Sequence, residues 1–537
     1  MTNERINSGS YVNPGNGRFA AAVNSMVYVD KTDFISLTNL VINSSERWMA
    51  NSRPRRFGKS TTANMLTAYY SRGCDSAALF SKYNISRHPD FLKHLNQHNV
   101  ISFDVQWFYV NSQHKEDVVH EIQAAVLAEL KKLFPSVSLE GIDWLPLALA
   151  KLFQESQQRF VIIVDEWDAL FRTSDVSPKT KDRYLEFLRG LFKGGVSQDF
   201  VELAFLTGIL PPIKIETESA FNDFYDYTML GAGPLAPYFG FTEPEVKALC
   251  SEHSLSFSQV KHWYDGYLLD SHHIYNPRAV VELIRMRRFK SYWSQTGTYR
   301  TVKNLINMNF DGLKDAAVQM LAGAAIGLEP RIDWSECKSR DAVLTYLIHL
   351  GYLAYDADTH QVFIPNEEIR EEFRLAVSEE NAWKDIIRLQ EESAKLVEAT
   401  LHHDTHMVAR ILDRFHTDYA SILRYNDENS LSCVLSIAYL GAMRWYYKPL
   451  REMPTGRGFA DLIFVPKALY AASHPAMVIE LKWNKDCQTA LDQIKNKNYP
   501  AVLSDYTGEI LLVGINYDRK AKVHECLIQK TAARQKG

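Results

Sequence analysis

The sequence predicts a multidomain α/β protein: a parallel sheet bearing a phosphate-binding loop, then a helical stretch, then a smaller α/β unit. Three observations predict it. Gly58-Lys59-Ser60 runs directly into a helix-forming segment, Thr61 to Leu66. The apolar run Phe160-Val161-Ile162-Ile163-Val164 ends in the acid pair Asp165-Glu166. Far downstream, Asp461 and the trio Glu480-Leu481-Lys482 each sit in a run of apolar residues.

The loop comes first. A glycine lets the backbone approach phosphate oxygens, a lysine reaches the β/γ-phosphates, and a hydroxyl ligates Mg²⁺. Arg53 stands where the usual pattern has its first glycine, so Gly58-Lys59-Ser60 alone is weak and its context decides. Five consecutive apolar, mostly β-branched residues at 160–164 read as a strand buried on both faces of a parallel sheet. Acids at its C-terminal edge lie where ligands bind in such sheets. There Asp165 is expected to hold Mg²⁺ through water and Glu166 to orient or deprotonate the attacking water. The expected nucleotide-binding set is Arg56, Phe57, Gly58, Lys59, Ser60, Thr61, Asp165 and Thr207, with Ser60 and Asp165 on the metal. Of the neighbouring Arg55 and Arg56, at least one is expected to be structural or inter-subunit, because phosphate loops are built mainly of backbone amides.

Composition bounds the rest. At 537 residues, two to four domains are expected. A content of 46% hydrophobic and 23% charged residues excludes wholesale disorder. A net charge of −4 and a pI near 6.5 neither require nor exclude a local nucleic-acid patch. The six cysteines are scattered without a Cys-x-x-Cys pair, which argues against a disulfide framework or zinc finger. No apolar run approaches the ~18 residues of a membrane helix, and Met1 to Arg5 lacks a signal-peptide core. A cytoplasmic protein without a membrane partner is expected.

Along the chain, strands are expected at 47–50, 100–105, 160–164 and 201–206, with helices at 60–71, 115–133 and 180–193. That alternation implies a doubly wound parallel sheet. The last strand ends in Thr207-Gly208, beside the acid pair. From about 240 helices alone are expected: 242–250, 256–263, 277–287, 299–307, 311–322 and 339–351, then a run to about 400. His402-His403-Asp404-Thr405-His406 is read as a solvated helix face rather than a metal site. A helix at 431–446 precedes strands at 447–452, 458–465 and 476–482. The expected domains are 1–238, 239–400 and 401–537.

Tyr28-Val29-Asp30-Lys31-Thr32, the Arg53–Ser60 loop, Asp165-Glu166, Leu206-Thr207-Gly208, Phe239-Gly240-Phe241-Thr242-Glu243, Trp263-Tyr264-Asp265-Gly266-Tyr267, Tyr275-Asn276-Pro277 and Tyr292-Trp293 with Thr296-Gly297 occur in that order. In this the chain resembles the bacterial AAA-ATPase-like proteins that carry a C-terminal PD-(D/E)XK nuclease domain, from about residue 10 to about 515. The resemblance implies a P-loop ATPase domain, a helical lid and linker, and a restriction-endonuclease-like C-terminal domain. It also makes Arg53 an ordinary occupant of its position. The family often has Asp-Glu-Tyr-Asp after the buried strand; here Trp167 replaces the tyrosine, and Asp165, Glu166 and Asp168 remain.

In the C-terminal part, period 2 puts Glu480 and Lys482 on one side of their strand. Two carboxylates and an ammonium on adjacent strands suit a Mg²⁺ site with charge stabilisation beside it, which phosphodiester hydrolysis requires. The spacing resembles the PD-(D/E)XK core: Asp461 and Glu480 as metal ligands, Lys482, then Gln493 on a following helix with Tyr499 just after. Glu428 is weighed as a further acid against an ordinary helix N-terminal one. The expected function is ATP binding and hydrolysis coupled to Mg²⁺-dependent (or Mn²⁺-dependent) cleavage of nucleic acid, DNA ahead of RNA, in defence or mobile-element biology. A homo-oligomer is compatible with this. The alternative is a nucleotide-gated scaffold with a non-catalytic nuclease fold. A kinase or nucleotidyltransferase is weaker, because no acceptor-site base is visible.

Overall fold

Burial on both faces turns the runs at 48–52, 99–104, 160–165 and 201–208 into one parallel sheet. In this computed structural model, residues 8–532 are described apart from 174, 213–220, 222, 294–311, 322, 332–338, 379–380, 420–434, 436–437, 448–449, 455–458, 468–469, 472, 497–502, 504–505 and 507. The strands are β1 (Trp48–Ser52), β2 (Asn99–Asp104), β3 (Phe160–Asp165), β4 (Val201–Gly208) and β5 (Tyr225–Tyr227), in the order β2-β3-β4-β1-β5. Every neighbouring pair is parallel.

Alternate residues feed two cores. Trp48, Ala50, Ile162, Val164 and Leu206 pack on one face. Met49, Val161, Ile163, Leu203 and Phe205 pack on the other, with Ala63, Met65 and Leu66 of the helix Lys59–Tyr70. Because β4 lies between β1 and β3, its tip is flanked by both: Thr207 is in register with Asn51 on one side and Asp165 on the other. Asp104 is in register with Asp165. Four polar residues therefore form a row along the C-terminal edge of the sheet.

The helices expected after residue 240 occur at Glu243–Glu252, Phe257–Tyr264, Pro277–Met286, Leu313–Leu321 and Arg340–Leu350. The expectation of helices alone is corrected. β6 (Phe241–Thr242), β7 (Tyr267–Leu269) and β8 (His272–Tyr275) form an antiparallel sheet in the order β6-β8-β7. β9 (Ile326–Gly327) follows, and β10 (Ala354–Asp356) pairs antiparallel with β11 (Gln361–Phe363). These strands are too short to show a period in sequence, and a two-residue turn, Asp270-Ser271 with Asp270 at φ 51°, joins β7 to β8.

The chain divides into two compact units, Met1–Gln295 with Leu328–Ile369, and Thr296–Gly327 with Arg370–Gly537. The second unit has a mixed sheet, β12 (Leu450–Pro454), β13 (Phe459–Phe464), β14 (Ala476–Trp483), β15 (Glu509–Asp518) and β16 (Val523–Ala532), paired in chain order. Only β14 and β15 are parallel, and the helix Cys487–Asn496 connects them. Met477, Ile479 and Leu481 face a core shared with the helices Asn381–Leu401 and Thr405–Tyr419. Val478 faces the opposite core, with Leu491 and Ile494. Parity puts Glu480 and Lys482 on that second face.

His402, His403 and His406 lie exposed around the turn between those two helices. Thr296-Gly297, the helix expected at 299–307, Glu428, Tyr499 and, within the helix expected at 431–446, residues 431–434 and 436–437 lie outside the described residues; the described end of that segment is a 3-10 turn, Leu440–Arg444. Among the described residues, no helix is long and apolar enough to cross a membrane.

Candidate active sites

The phosphate loop leaves β1 and turns into its helix at Gly58, whose φ of 89° favours glycine. Lys59 is 4% exposed. Its ammonium donates to the Pro54 carbonyl at 3.1 Å and lies 3.8 Å from Glu166 Oε1. Burial holds its pKa below the ordinary lysine value, against the pull of Glu166, Asp165 and Asp168.

Asp165 is pushed up to about 7, mainly by burial, opposed by a hydrogen bond with the Ser60 side chain and reinforced by Glu166 and Asp104. Asp104 is raised as well, by burial first, although its carboxylate caps a helix by accepting from Trp107 N at 3.0 Å. Three acids crowd one end of the sheet, an arrangement that a cation relieves. Asn51 and Thr207 are 1% and 0% exposed. Neither the Asn51 amide nor the Thr207 hydroxyl meets a hydrogen-bond partner among the described residues.

The turn after β3 is built tightly. Glu166 has φ 50°. Its carboxylate pairs with Arg172, whose Nε also lies 2.8 Å from Asp168 Oδ2. Asp168 is fully buried and accepts from Ile209 N at 3.1 Å and Leu210 N at 2.8 Å. Trp167 is 1% exposed and donates to Leu210 O at 3.2 Å, so the indole is a core residue.

The arginine-rich half of the loop grips the segment that follows the sheet. Arg53, fully buried, donates to Ser52 O and Tyr227 O and lies over the Phe239 ring. Phe57 packs edge-on against Tyr267 at 5.5 Å and accepts from Gly240 N at 3.0 Å. Arg56 donates to Tyr292 O at 3.2 Å.

A cavity of about 810 Å³ opens over this edge, lined by Arg55, Arg56, Gly58, Lys59, Ser60, Thr61 and Glu166 on the loop side. Met26, Val27, Pro277, Arg278, Val281 and Arg285 line it as well. The volume falls within the range of ligand pockets, roughly 300–1,000 Å³. Phe57, Asp165 and Thr207 lie outside the lining. Asp104, Asn51, Arg172, Arg278 and Arg285 carry no motif, and only the fold gathers them.

In the second unit Glu480 and Lys482 are 2% and 5% exposed and form an ion pair at 3.1 Å. The Gln493 amide donates to Glu480 Oε1. Gly514, in register with Glu480, explains how Gln493 arrives: a Cβ there would stand 2.6 Å from the Cys487 carbonyl and 3.1 Å from Leu491. The bare backbone lets the helix Cys487–Asn496 lie close over the sheet. Leu462 faces Ile479 across β13 and β14. Asp461 directly precedes Leu462 on β13.

One unit thus carries a phosphate loop with strand-tip acids on a parallel sheet, and the other a buried carboxylate–lysine pair on a mixed sheet. Residues 20–218 match the family model for a predicted AAA-ATPase, and residues 426–526 match the PD-(D/E)XK nuclease superfamily. The chain thus has the architecture of an AAA-ATPase-like domain followed by a C-terminal PD-(D/E)XK nuclease-superfamily domain. It is 24% identical over 275 residues to an uncharacterized protein in the vnfD 5' region of Azotobacter chroococcum mcd 1, a match spanning 50% of this chain and 51% of that protein. Among solved structures, C. elegans PCH-2 aligns with 50% of this chain and 62% of its own, at 10% identity and a TM-score of 0.20.

Proposed function

We propose that the chain binds and hydrolyses ATP at the loop of the first unit and cleaves nucleic-acid phosphodiesters at Asp461, Glu480, Lys482 and Gln493, with DNA the preferred substrate. The observation that carries the first half is the meeting of Lys59, Ser60, Asp165 and Glu166 at one sheet edge, with Lys59 3.8 Å from Glu166. Lys59 supplies countercharge to the β/γ-phosphates, the loop amides bind phosphate oxygens, and Glu166 takes or orients the water proton. Ser60 and Asp165 are the oxygen donors that fit Mg²⁺, which when bound neutralises phosphate charge. The raised carboxyl of Asp165 supports that fit, since a buried acid among acids favours a cation.

For the second half, the buried Glu480–Lys482–Gln493 contact carries the reading. Asp461 and Glu480 offer hard oxygens suited to Mg²⁺ or Mn²⁺, which when bound polarises the phosphate and activates water. Lys482 stabilises charge on the phosphate, and the Gln493 amide fixes the Glu480 carboxylate. A cytoplasmic role in defence or mobile-element biology, and assembly into a homo-oligomer, complete the proposal.

The test is incubation with plasmid, linear and single-stranded DNA and with RNA, with Mg²⁺ or Mn²⁺, with and without ATP. Metal-dependent cleavage of DNA that Glu480→Ala abolishes is expected. Cleavage that survives Glu480→Ala, or none from the wild type on any substrate, overturns the nuclease half.

A further inference from the structure

We propose that Arg172 is a positioning residue for ATP hydrolysis. It holds one oxygen of Glu166 so that the other is presented to the water attacking the γ-phosphorus. The inference rests on the ATPase reading above and deepens it.

The two oxygens of Glu166 stand in different surroundings. Oε2 is taken by the Arg172 guanidinium, while Oε1 faces Lys59 at 3.8 Å. Glu166 lines the cavity, and Arg172 lies outside that lining. Arg172 is therefore placed to act through Glu166 rather than on phosphate.

Arg172 is itself anchored. Its side chain is 8% exposed, and its Nε lies 2.8 Å from Asp168 Oδ2. The same oxygen accepts two backbone N–H groups at the tip of β4, Ile209 and Leu210. A fully buried carboxylate bound to strand backbone cannot drift, and the planar guanidinium passes that fixity on to Glu166. Without it the Glu166 side chain, 17% exposed at the cavity edge, samples several rotamers, and each wrong one withdraws the proton acceptor from the water.

In the step served, the water oxygen bonds to the γ-phosphorus. The bond from phosphorus to the β,γ-bridging oxygen breaks, and ADP leaves with that electron pair. The water proton passes to Glu166 Oε1. Arg172 gains and loses nothing; it fixes the acceptor.

The test compares Arg172→Ala and Arg172→Lys with wild type in steady-state ATP hydrolysis, and Arg172→Ala again in a Glu166→Gln background, with ATP affinity measured by calorimetry throughout. Arg172→Ala is expected to lower kcat by about 10- to 100-fold with KM within about threefold, the signature of lost orientation rather than lost binding. Arg172→Lys recovers part of the loss, since a single ammonium replaces half of a fork. In Glu166→Gln the same Arg172→Ala change costs no more than about twofold, because residues acting as a unit are not additive. A kcat for Arg172→Ala within about twofold of wild type overturns the role. So does an undiminished loss in the Glu166→Gln background, or a fall in ATP affinity that matches the fall in kcat. A wild type without turnover refutes the ATPase reading and this role together, whereas an active wild type indifferent to Arg172 refutes the role alone.

Discussion

Three buried cations of the first unit are treated in three ways, and the differences bear on what each does. Arg172 is held by two carboxylates. Arg53 is held by carbonyls and a ring, and burial pushes its pKa down to about 9. Lys59 has one carbonyl and a carboxylate at 3.8 Å. A buried ammonium so thinly partnered is costly without nucleotide and valuable with it. Lys59→Met is therefore expected to leave the nucleotide-free protein as stable as wild type or more so by about 1 kcal/mol. The same variant loses the rise in melting temperature that Mg²⁺-ATP gives wild type. Melting curves with and without nucleotide check both halves. A second residue sets acid sensitivity: burial and, after it, Arg53 push His349 down from 6.5 to about 3. With the folded pKa below the unfolded one, the unfolded chain binds the extra proton between those values. The contribution of His349 is thus fully present above about 6.5 and is lost as pH falls towards about 3. Urea midpoints across that range should fall for wild type and fall less steeply for His349→Gln.

At the scale of elements, the segments that follow the sheet are built to hold the phosphate loop. Phe57 is clasped by Gly240 and Tyr267, and Tyr267 donates to the Gly351 carbonyl. Gly266, between Asp265 and Tyr267, has φ 121°, and a Cβ there would stand 2.0 Å from the Pro365 carbonyl. Gly266→Ala is expected to destabilise the first unit by about 3 kcal/mol or more, through backbone strain together with overpacking. It should weaken ATP binding as well, because β7 carries the ring that seats Phe57. Denaturant unfolding and calorimetry measure the two effects, and a variant with an unchanged midpoint excludes the constraint. Legibility divides at this scale. The strand at 160–164 and the turn into Lys59 were readable because burial on two faces and a phosphate loop each leave a local signature. β6 to β8 were not, since two to four residues hold no periodicity. Nor was the gathering of Asp104, Asn51 and Arg172 around the loop, because register across four strands is a property of pairing. Asp168 stood in the sequence as one more acid. Its grip on Ile209 and Leu210 exists only once β4 lies beside β3.

For the whole molecule, the chain separates into two units, each with its own sheet and core. Chemistry confined to one sheet should fail alone. Asp461→Ala and Glu480→Ala are expected to abolish metal-dependent cleavage while leaving ATP hydrolysis nearly intact. The two variants should differ in stability. Glu480 is 2% exposed and pairs with Lys482 at 3.1 Å, so its removal takes a countercharge from a buried ammonium. The expected cost is about 3–5 kcal/mol in the second unit, the usual penalty for breaking a buried pair. Replacing both partners, Glu480→Gln with Lys482→Met, removes the buried charge as well and should regain most of that stability while cleavage stays absent. Lys482→Ala alone should cut cleavage strongly with metal still bound, since an ammonium stabilises charge and is not a ligand. The decisive comparison assays one preparation for DNA cleavage, ATP turnover and melting. Loss of cleavage in the stable double variant, with ATP turnover unchanged, assigns the defect to chemistry rather than to unfolding. A parallel fall in ATP turnover means instead that the nuclease unit feeds back on the nucleotide site, and the independence argued from two separate cores is wrong.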